Sequence, residues 1–307
     1  MLEIISKTGN DNIATVYVAK TQDNKYLEFV ESLQPPLSRE DKWVLIVSTL
    51  FGCPVGCLMC DAGGFFQGKL SKEEILAQID HLVISRFPDK SITCAKFKIQ
   101  FARMGEPALN PAVLDVLEEL PARYKCDGLL PSFSTVAPDG CEDFFVRLCA
   151  IKNRLYANGN FQMQFSIHTT DQLLRAKIIP IKKWNFDQIA VYGDKFYEAG
   201  DKKITLNFAL AKNSPICVKE LKKYFDPSVF IIKITPVNPT INSASNNIES
   251  YFVTGAAGED TNGQVEQLCG AGYEVILSIG ELEENQIGSN CGQYVRKYIN
   301  LCYNPCL

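Results

Sequence analysis

From residue 42 onward the chain alternates short runs of β-branched and aromatic residues with longer stretches whose apolar positions fall at helical spacing. That alternation is the pattern of repeated βα units and predicts a parallel sheet with helices outside it. Six core strands are predicted: Trp43–Ser48, Lys96–Phe101, Leu129–Ser134, Gln162–Ile167, Ile204–Ala209 and Phe230–Thr235, each apolar enough to be covered on both faces. Helices are predicted over Lys72–Ser85, Ala112–Arg123, Cys141–Ile151, Asn185–Ala199 and Val218–Phe225. The first has a defined start, because Ser71 with Glu74 three residues on forms a capping box ahead of Ile75, Leu76 and Ile79. Six parallel strands with outer helices make a partial (β/α)6 barrel of the TIM-like kind, in which ligands sit at the C-terminal strand ends.

Antiparallel strands are expected ahead of this core, at Glu3–Ser6, Ala14–Val18 and Tyr26–Val30, with the turn residues Gly9, Asn10, Asp11 and Asn12 between the first two. After the core, Pro239–Gly263 is an Asn/Ser/Gly-rich connection. A helix near Gln264–Gly270, a strand Glu274–Ser278 and a final helix near Asn290–Ile299 follow. The expected division is a small N-terminal β extension over 1–40, the partial barrel over 41–240 and a C-terminal extension over 241–307.

Composition narrows the class. A chain of 307 residues with 46% hydrophobic content can bury a substantial core. The N-terminus has no basic segment leading into an apolar core, and no run reaches about 18 apolar residues, so a cytoplasmic protein without membrane association is expected. A net charge of −4 and a pI of about 5.4 give no overall attraction to phosphate, so RNA is not favoured as a partner. The local group Arg175, Lys177, Lys182, Lys183, Lys222 and Lys223 reads as solvated surface.

Twelve cysteines spread through such a chain point to metal binding or catalysis rather than disulfides. Phe51–Asp61 reads FGCPVGCLMCD, a C-x3-C-x2-C spacing directly after the first core strand. A four-iron cubane is ordinarily held by four thiolates, so a [4Fe-4S] cluster on Cys53, Cys57 and Cys60 would keep one iron open. S-adenosylmethionine (SAM) can chelate that iron, and one electron then cleaves a carbon–sulfur bond to give a 5′-deoxyadenosyl radical. Structural zinc wants four closed ligands, and no fourth Cys or His lies nearby in sequence. Cys94, Cys126, Cys141, Cys149 and Cys217 fall in or beside predicted elements and read as small apolar residues.

The cysteine spacing is that of the radical SAM superfamily, and most of the chain resembles its branch containing the ribosomal RNA adenine methyltransferases RlmN and Cfr. Val47–Cys60, VSTLFGCPVGCLMC, is similar to that branch's VSSQVGCxxxCxxC, and Arg103–Asn110, RMGEPALN, to its GMGEPLLN. Phe133-Ser134-Thr135 stands where the branch has LST, and Ser166-Ile167-His168 where it has SLH. Ile178–Ile181 resembles its IVPI, and Ile234–Pro239, ITPVNP, its IPWNP. The resemblance implies a partial barrel of the radical SAM type. Glu106 would bind the SAM ammonium, with Gly105 permitting close backbone approach and Pro107 fixing the turn. Ser134, Ser166, His168 and Asn238 would complete the SAM site, and an electron donor such as flavodoxin or ferredoxin would serve it. Read alone, the two serines are turn hydroxyls and His168 a satisfied histidine at a sheet edge.

Other expectations of that branch are met only in part. Asn290–Gln293, NCGQ, matches a segment whose cysteine accepts a methyl group from SAM, which makes Cys291 the candidate reactive thiol. The branch's resolving cysteine lies seven residues before the cluster, where this chain has Ile46, and a branched alkane cannot perform thiolate displacement. Either Cys302, Cys306 or Cys269 replaces it, or the reaction takes a different course. Glu28, or else Glu31, would stand for an upstream glutamate proposed as base, the other reading being a surface glutamate on an antiparallel strand. The branch's N-terminal RNA-binding segment has no expected counterpart. Cys291, Cys302, Cys306 and Cys269 could instead hold a second cluster. The leading expectation is a radical SAM enzyme acting on a nucleotide, metabolite or peptide. The alternatives are an RNA adenine C-methyltransferase with a relocated resolving cysteine, and a catalytically idle SAM- or cluster-binding protein.

Overall fold

The computed structural model describes residues 2–251, 259–279, 287 and 294–296. Strands β1 (Glu3–Gly9), β2 (Ala14–Lys20) and β3 (Tyr26–Ser32) form an antiparallel ladder, with Ala14 opposite Ser32 across β2 and β3. The Asn10 side chain accepts the backbone N–H groups of Asn12 and Ile13, both at 3.0 Å, and closes the first turn. β3 pairs antiparallel with β4 (Trp43–Val47), Val30 facing Ile46, so the N-terminal strands extend the sheet of the core.

A short hairpin of β5 (Leu50–Phe51) and β6 (Gly68–Lys69) brackets the cysteine loop. Then come β7 (Phe97–Phe101), β8 (Leu129–Thr135), β9 (Gln162–Ser166), β10 (Ile204–Leu210), β11 (Phe230–Pro236) and β12 (Val275–Leu277). The large sheet runs β1-β2-β3-β4-β7-β8-β9-β10-β11-β12 and is parallel from β4 onward. The six core strands stand in the predicted order. β12, within the strand predicted at Glu274–Ser278, joins the parallel run beside β11, with Val275 opposite Ile232.

Helices α1 (Lys72–Arg86), α2 (Ala112–Arg123), α3 (Glu142–Leu155), α4 (Gln172–Ile178), α5 (Phe186–Phe196) and α6 (Val218–Tyr224) lie in the crossovers, followed by α7 (Ile241–Ser245) and α8 (Glu259–Gly270). The capping box of α1 is present: Ser71 Oγ accepts the Glu74 N–H at 3.1 Å, and the Glu74 carboxylate accepts the Ser71 N–H at 2.8 Å. The short α4 and α7 were not predicted, because five to seven residues carry too little periodicity, although each is capped, by Asp171 and by Thr240.

Burial on both faces holds at most positions of β4, β8 and β10 but is corrected by the structure on β7, β9 and β11. On β7, Phe97, Ile99 and Phe101 are fully buried beneath the helices, while Lys98 and Gln100 are only half-buried and face the other way. The same alternation runs along β9 and β11, where Gln162, Gln164 and Lys233 face inward. An open barrel keeps a ligand cavity on its inner side, so its inner rows are polar and only its outer rows build the apolar core. No helix among the described residues is long and apolar enough to cross a membrane.

Candidate active site

The C-terminal ends of β4 and β7–β11 converge on a cavity of about 390 Å³, large enough for a ligand of cofactor size. Cys53, Cys57 and Cys60 line one side of it. Their loop is tied down through its backbone. Leu58 N donates to Ile178 O at 3.0 Å, Thr240 Oγ1 donates to Met59 O at 2.9 Å, and Asn242 Nδ2 and Asn246 Nδ2 donate to Cys60 O and Leu58 O at 2.7 and 3.0 Å. Each bond uses a main-chain group, which leaves the thiols as the polar ends turned to the cavity. Burial pushes the Cys53 thiol up to about 11, and Cys57 is raised further by burial and by Cys53 and Glu106 beside it.

Glu106 sits beside these cysteines, after β7, and is 5% exposed. It caps a 3-10 turn at Pro107–Leu109, accepting the Ala108 N–H at 3.1 Å; its carboxylate also accepts from Val136 N at 2.9 Å and from the Thr135 hydroxyl. Burial outweighs these donors and raises its carboxyl to about 7. Gly105 has φ +97°, and a Cβ there would lie 2.5 Å from the Leu50 side chain and 2.8 Å from its backbone N. The close approach expected at this glycine is therefore to the strand leading into the cysteine loop, whose Thr49 and Leu50 N–H groups both donate to Met104 O.

Ser134, Ser166, His168 and Asn238 also line the cavity. Gln164 Nε2 donates to Ser134 Oγ at 3.3 Å. His168 adopts φ +66°, and its Nδ1 accepts the Ala209 N–H at 3.1 Å, which assigns the ring proton to Nε2. Burial, with Arg175 nearby, lowers His168 to about 4, so the imidazole is a neutral donor at pH 7.

No family model matches the sequence. Ribosomal RNA large subunit methyltransferase N of Nitrosopumilus maritimus is 23% identical over 301 residues, which cover 93% of this chain and 81% of that protein. A probable dual-specificity RNA methyltransferase RlmN of Desulfitobacterium hafniense is 26% identical over 293 residues, covering 92% of this chain and 75% of the relative. The crystal structure of a radical SAM methyltransferase from Sphaerobacter thermophilus superposes with a TM-score of 0.72 at 18% identity, covering 95% of this chain and 80% of that one. The chain is thus similar to RlmN-type radical SAM methyltransferases.

Enzymes of the radical SAM class carry a [4Fe-4S] cluster and SAM, and the residues of this RlmN-like chain fit both. Among the described residues no three Cys, His, Asp or Glu side chains converge as one bound ion would require. A cubane presents separate irons to separate thiolates, so three cysteines spaced around one cavity suit a cluster and not a single zinc. In the same cavity, the buried Glu106 carboxylate and the neutral His168 donor are polar groups of the kind an amino acid and a ribose need.

Other sequence-predicted residues fall elsewhere. Glu28 is fully buried and is not among the residues lining the cavity. Its Oε1 meets Arg103 at 2.6 Å, and its Oε2 accepts the Tyr294 and Val295 N–H groups, both at 3.0 Å. Glu31 pairs with Arg86 at 2.5 Å and accepts from Trp43 Nε1 at 2.9 Å. Ile46, at the position of the branch's resolving cysteine, lines the cavity. Cys291, Cys302 and Cys306 lie outside the described residues, and Cys269 is exposed on α8. Arg175 is not solvated surface. It is 4% exposed, donates to Trp184 O at 2.8 Å and stacks over the Phe186 ring, because α4 turns it inward against the segment it caps.

Sequence reasoning missed Thr135 and the inner row of Gln100, Gln164, Asn207 and Lys233. The row had a signal: polar residues at every second position of strands otherwise read as wholly apolar. Arg103 had one too, since a large cation stands after a strand where the resembled branch has glycine.

Proposed function

We propose that this enzyme binds SAM at a three-thiolate [4Fe-4S] cluster and modifies a nucleotide, metabolite or peptide, without the second-cysteine resolution step of the RlmN and Cfr branch. The observation that carries the reading is Ile46. It lies on the cavity wall where that step needs a thiol, and a sec-butyl group cannot act as nucleophile or leaving group. The neighbouring Arg103 lines the same cavity with its charge committed to Glu28.

When bound, the cluster and SAM supply a carbon-centred radical or a transferable methyl group. The chain supplies position. Cys53, Cys57 and Cys60 hold iron. Glu106, fixed by Ala108, Thr135 and Val136, receives the SAM ammonium. Ser134, Ser166 and Asn238 offer hydroxyl and amide groups to the rest of SAM, and His168 donates through Nε2. Cys291 is the proposed acceptor of a methyl group. The apolar outer layer and the bonded cysteine loop keep these groups in one arrangement.

The deciding test is anaerobic incubation of the reconstituted protein with SAM and dithionite, quantifying 5′-deoxyadenosine and S-adenosylhomocysteine, with peptide mass spectrometry of Cys291. The reading expects either product from the wild type and neither from Cys53→Ala. A wild type that turns over no SAM while holding four irons defeats it. The relatives' names favour a second reading, RNA as substrate. Salt-dependent binding of an adenine-containing RNA hairpin would support that reading, and absence of binding at low salt would remove it.

A further inference from the structure

Three consecutive residues near the C-terminus, Tyr294, Val295 and Arg296, are gripped by two carboxylates from distant parts of the chain. Glu28 on β3 accepts the Tyr294 and Val295 N–H groups, both at 3.0 Å. Asp61, the residue after Cys60, accepts from the Arg296 guanidinium at 3.2 Å and from the Ile241 and Asn242 N–H groups at 3.0 and 2.9 Å. Arg296 also donates to Asn242 Oδ1 at 2.7 Å, while Asn242 Nδ2 donates to Cys60 O at 2.7 Å. Glu28, Asp61 and Val295 are all fully buried. Val295 packs with Ala62 and Met104 and touches the group that includes Cys53 and Cys60.

Simple packing of a tail needs apolar contact alone. Here two fully buried charges take part of their compensation from these three residues, and a buried carboxylate without donors is costly. Undocking the turn would strip Glu28 of two backbone donors and Asp61 of its guanidinium. The cost is mutual: whatever fixes the Cys57–Asp61 loop favours the docked turn, and docking favours that loop.

We infer that Glu28 and Asp61 are positioning residues that seat the turn 294–296 on the metal-binding loop, so that iron held by the loop and docking of the turn reinforce each other. The inference rests on the reading of Cys53, Cys57 and Cys60 as cluster ligands. Glu28 then serves as an anchor acting through the turn, not as a base acting on substrate. The chain just after Cys291 is the part so anchored.

Hydrogen exchange of the full chain, read by mass spectrometry on peptides covering 294–296, tests this in reconstituted and iron-stripped protein. Reconstitution is expected to slow the Tyr294 and Val295 amides by about tenfold or more, the scale set by hydrogen bonds to charged groups. Arg296→Gln, which touches neither the cysteines nor the barrel, and Glu28→Gln should each return that protection. Exchange in β7–β11 should hold in Arg296→Gln, while by reciprocity its iron should be lost to a chelator faster than the wild type's. The inference is overturned if the two amides exchange alike with and without iron in a chain that binds four irons, or if Arg296→Gln leaves their exchange unchanged. It is also overturned if Arg296→Gln raises exchange throughout the barrel, which would mark a general structural role. A chain that holds no iron after reconstitution defeats the cluster reading itself, a separate outcome read from the iron assay.

Discussion

Arg103 and Glu28 form an ion pair whose side chains are 1% and 0% exposed, with 2.6 Å between Nη2 and Oε1. Replacing Arg103 by Met leaves the carboxylate buried without its cation. Breaking a buried pair from one side costs about 3–5 kcal/mol, because the remaining charge is uncompensated. Glu28 keeps its two backbone donors, so the lower end, about 3 kcal/mol, is the expected loss for Arg103→Met. Glu28→Gln strands the guanidinium instead and should cost about the same. The double variant strands neither charge, so its expected loss is also about 3 kcal/mol rather than 6, a coupling of about 3 kcal/mol. Urea unfolding of the iron-free chain by far-UV circular dichroism gives all three values, compared at equal slopes. Additive losses in the double variant, or single losses under about 1 kcal/mol, would show that the pair does not share one buried charge balance.

Three further outcomes are expected. Gly105→Ala should cost about 3 kcal/mol and lower iron retention, since it combines a positive φ with a Cβ 2.5 Å from Leu50; unchanged melting and iron content would refute the close approach. Burial and the charges of Lys233, Lys42 and Lys96 push Lys98 down to about 7, so between there and the unfolded value of about 10.4 only the unfolded chain holds the proton, and stability rises with pH. Lys98→Met should therefore stabilise the protein by about 2 kcal/mol below pH 7, with the gain gone near pH 10; a gain independent of pH in thermal melts would contradict it. Burial opposes the charged form of Asp80, but hydrogen bonds from Arg123, Tyr124 and Lys90 outweigh it and hold the carboxyl below its ordinary value. Asp80→Asn should cost about 1–2 kcal/mol at pH 7, a difference that fades as pH falls below about 4, and urea midpoints at the two pH values check it.

The order of the core strands was legible because each is a short β-branched run bounded by a helix of ordinary length, as at Phe97–Phe101 before Ala112–Arg123. That the cysteine loop and Glu106 share a cavity at the strand ends was legible because each directly follows a predicted strand. The unreadable part was tertiary. Glu28 and Asp61 are ordinary acids in sequence, and only the return of Tyr294–Arg296 from more than two hundred positions away gives them partners. Arg175 looked like one member of a basic surface group until α4, too short to announce itself, turned it inward. Strand β12 read as an isolated run because parallel pairing with β11 leaves no local trace.

Two of the places where this chain departs from the branch it resembles stand side by side in the cavity wall. Ile46 lies on β4 and Arg103 comes just after β7, and these two strands are direct neighbours, with Ile46 opposite Gln100. Glu28, the partner of Arg103, lies on β3, the next strand outward. The residues that match the branch at the proposed SAM positions, Ser134, Ser166, His168 and Asn238, come from β8, β9, β11 and the loops after them. Where the resembled branch has a glycine and a thiol, the wall at the ends of β4 and β7 thus carries an ion-paired arginine and an isoleucine, directly beside the matching cysteine loop and Glu106. Both changes touch the cavity without touching the residues proposed to hold SAM, which is where a different molecule set against a retained cofactor would leave its mark, since each group constrains only the residues it contacts.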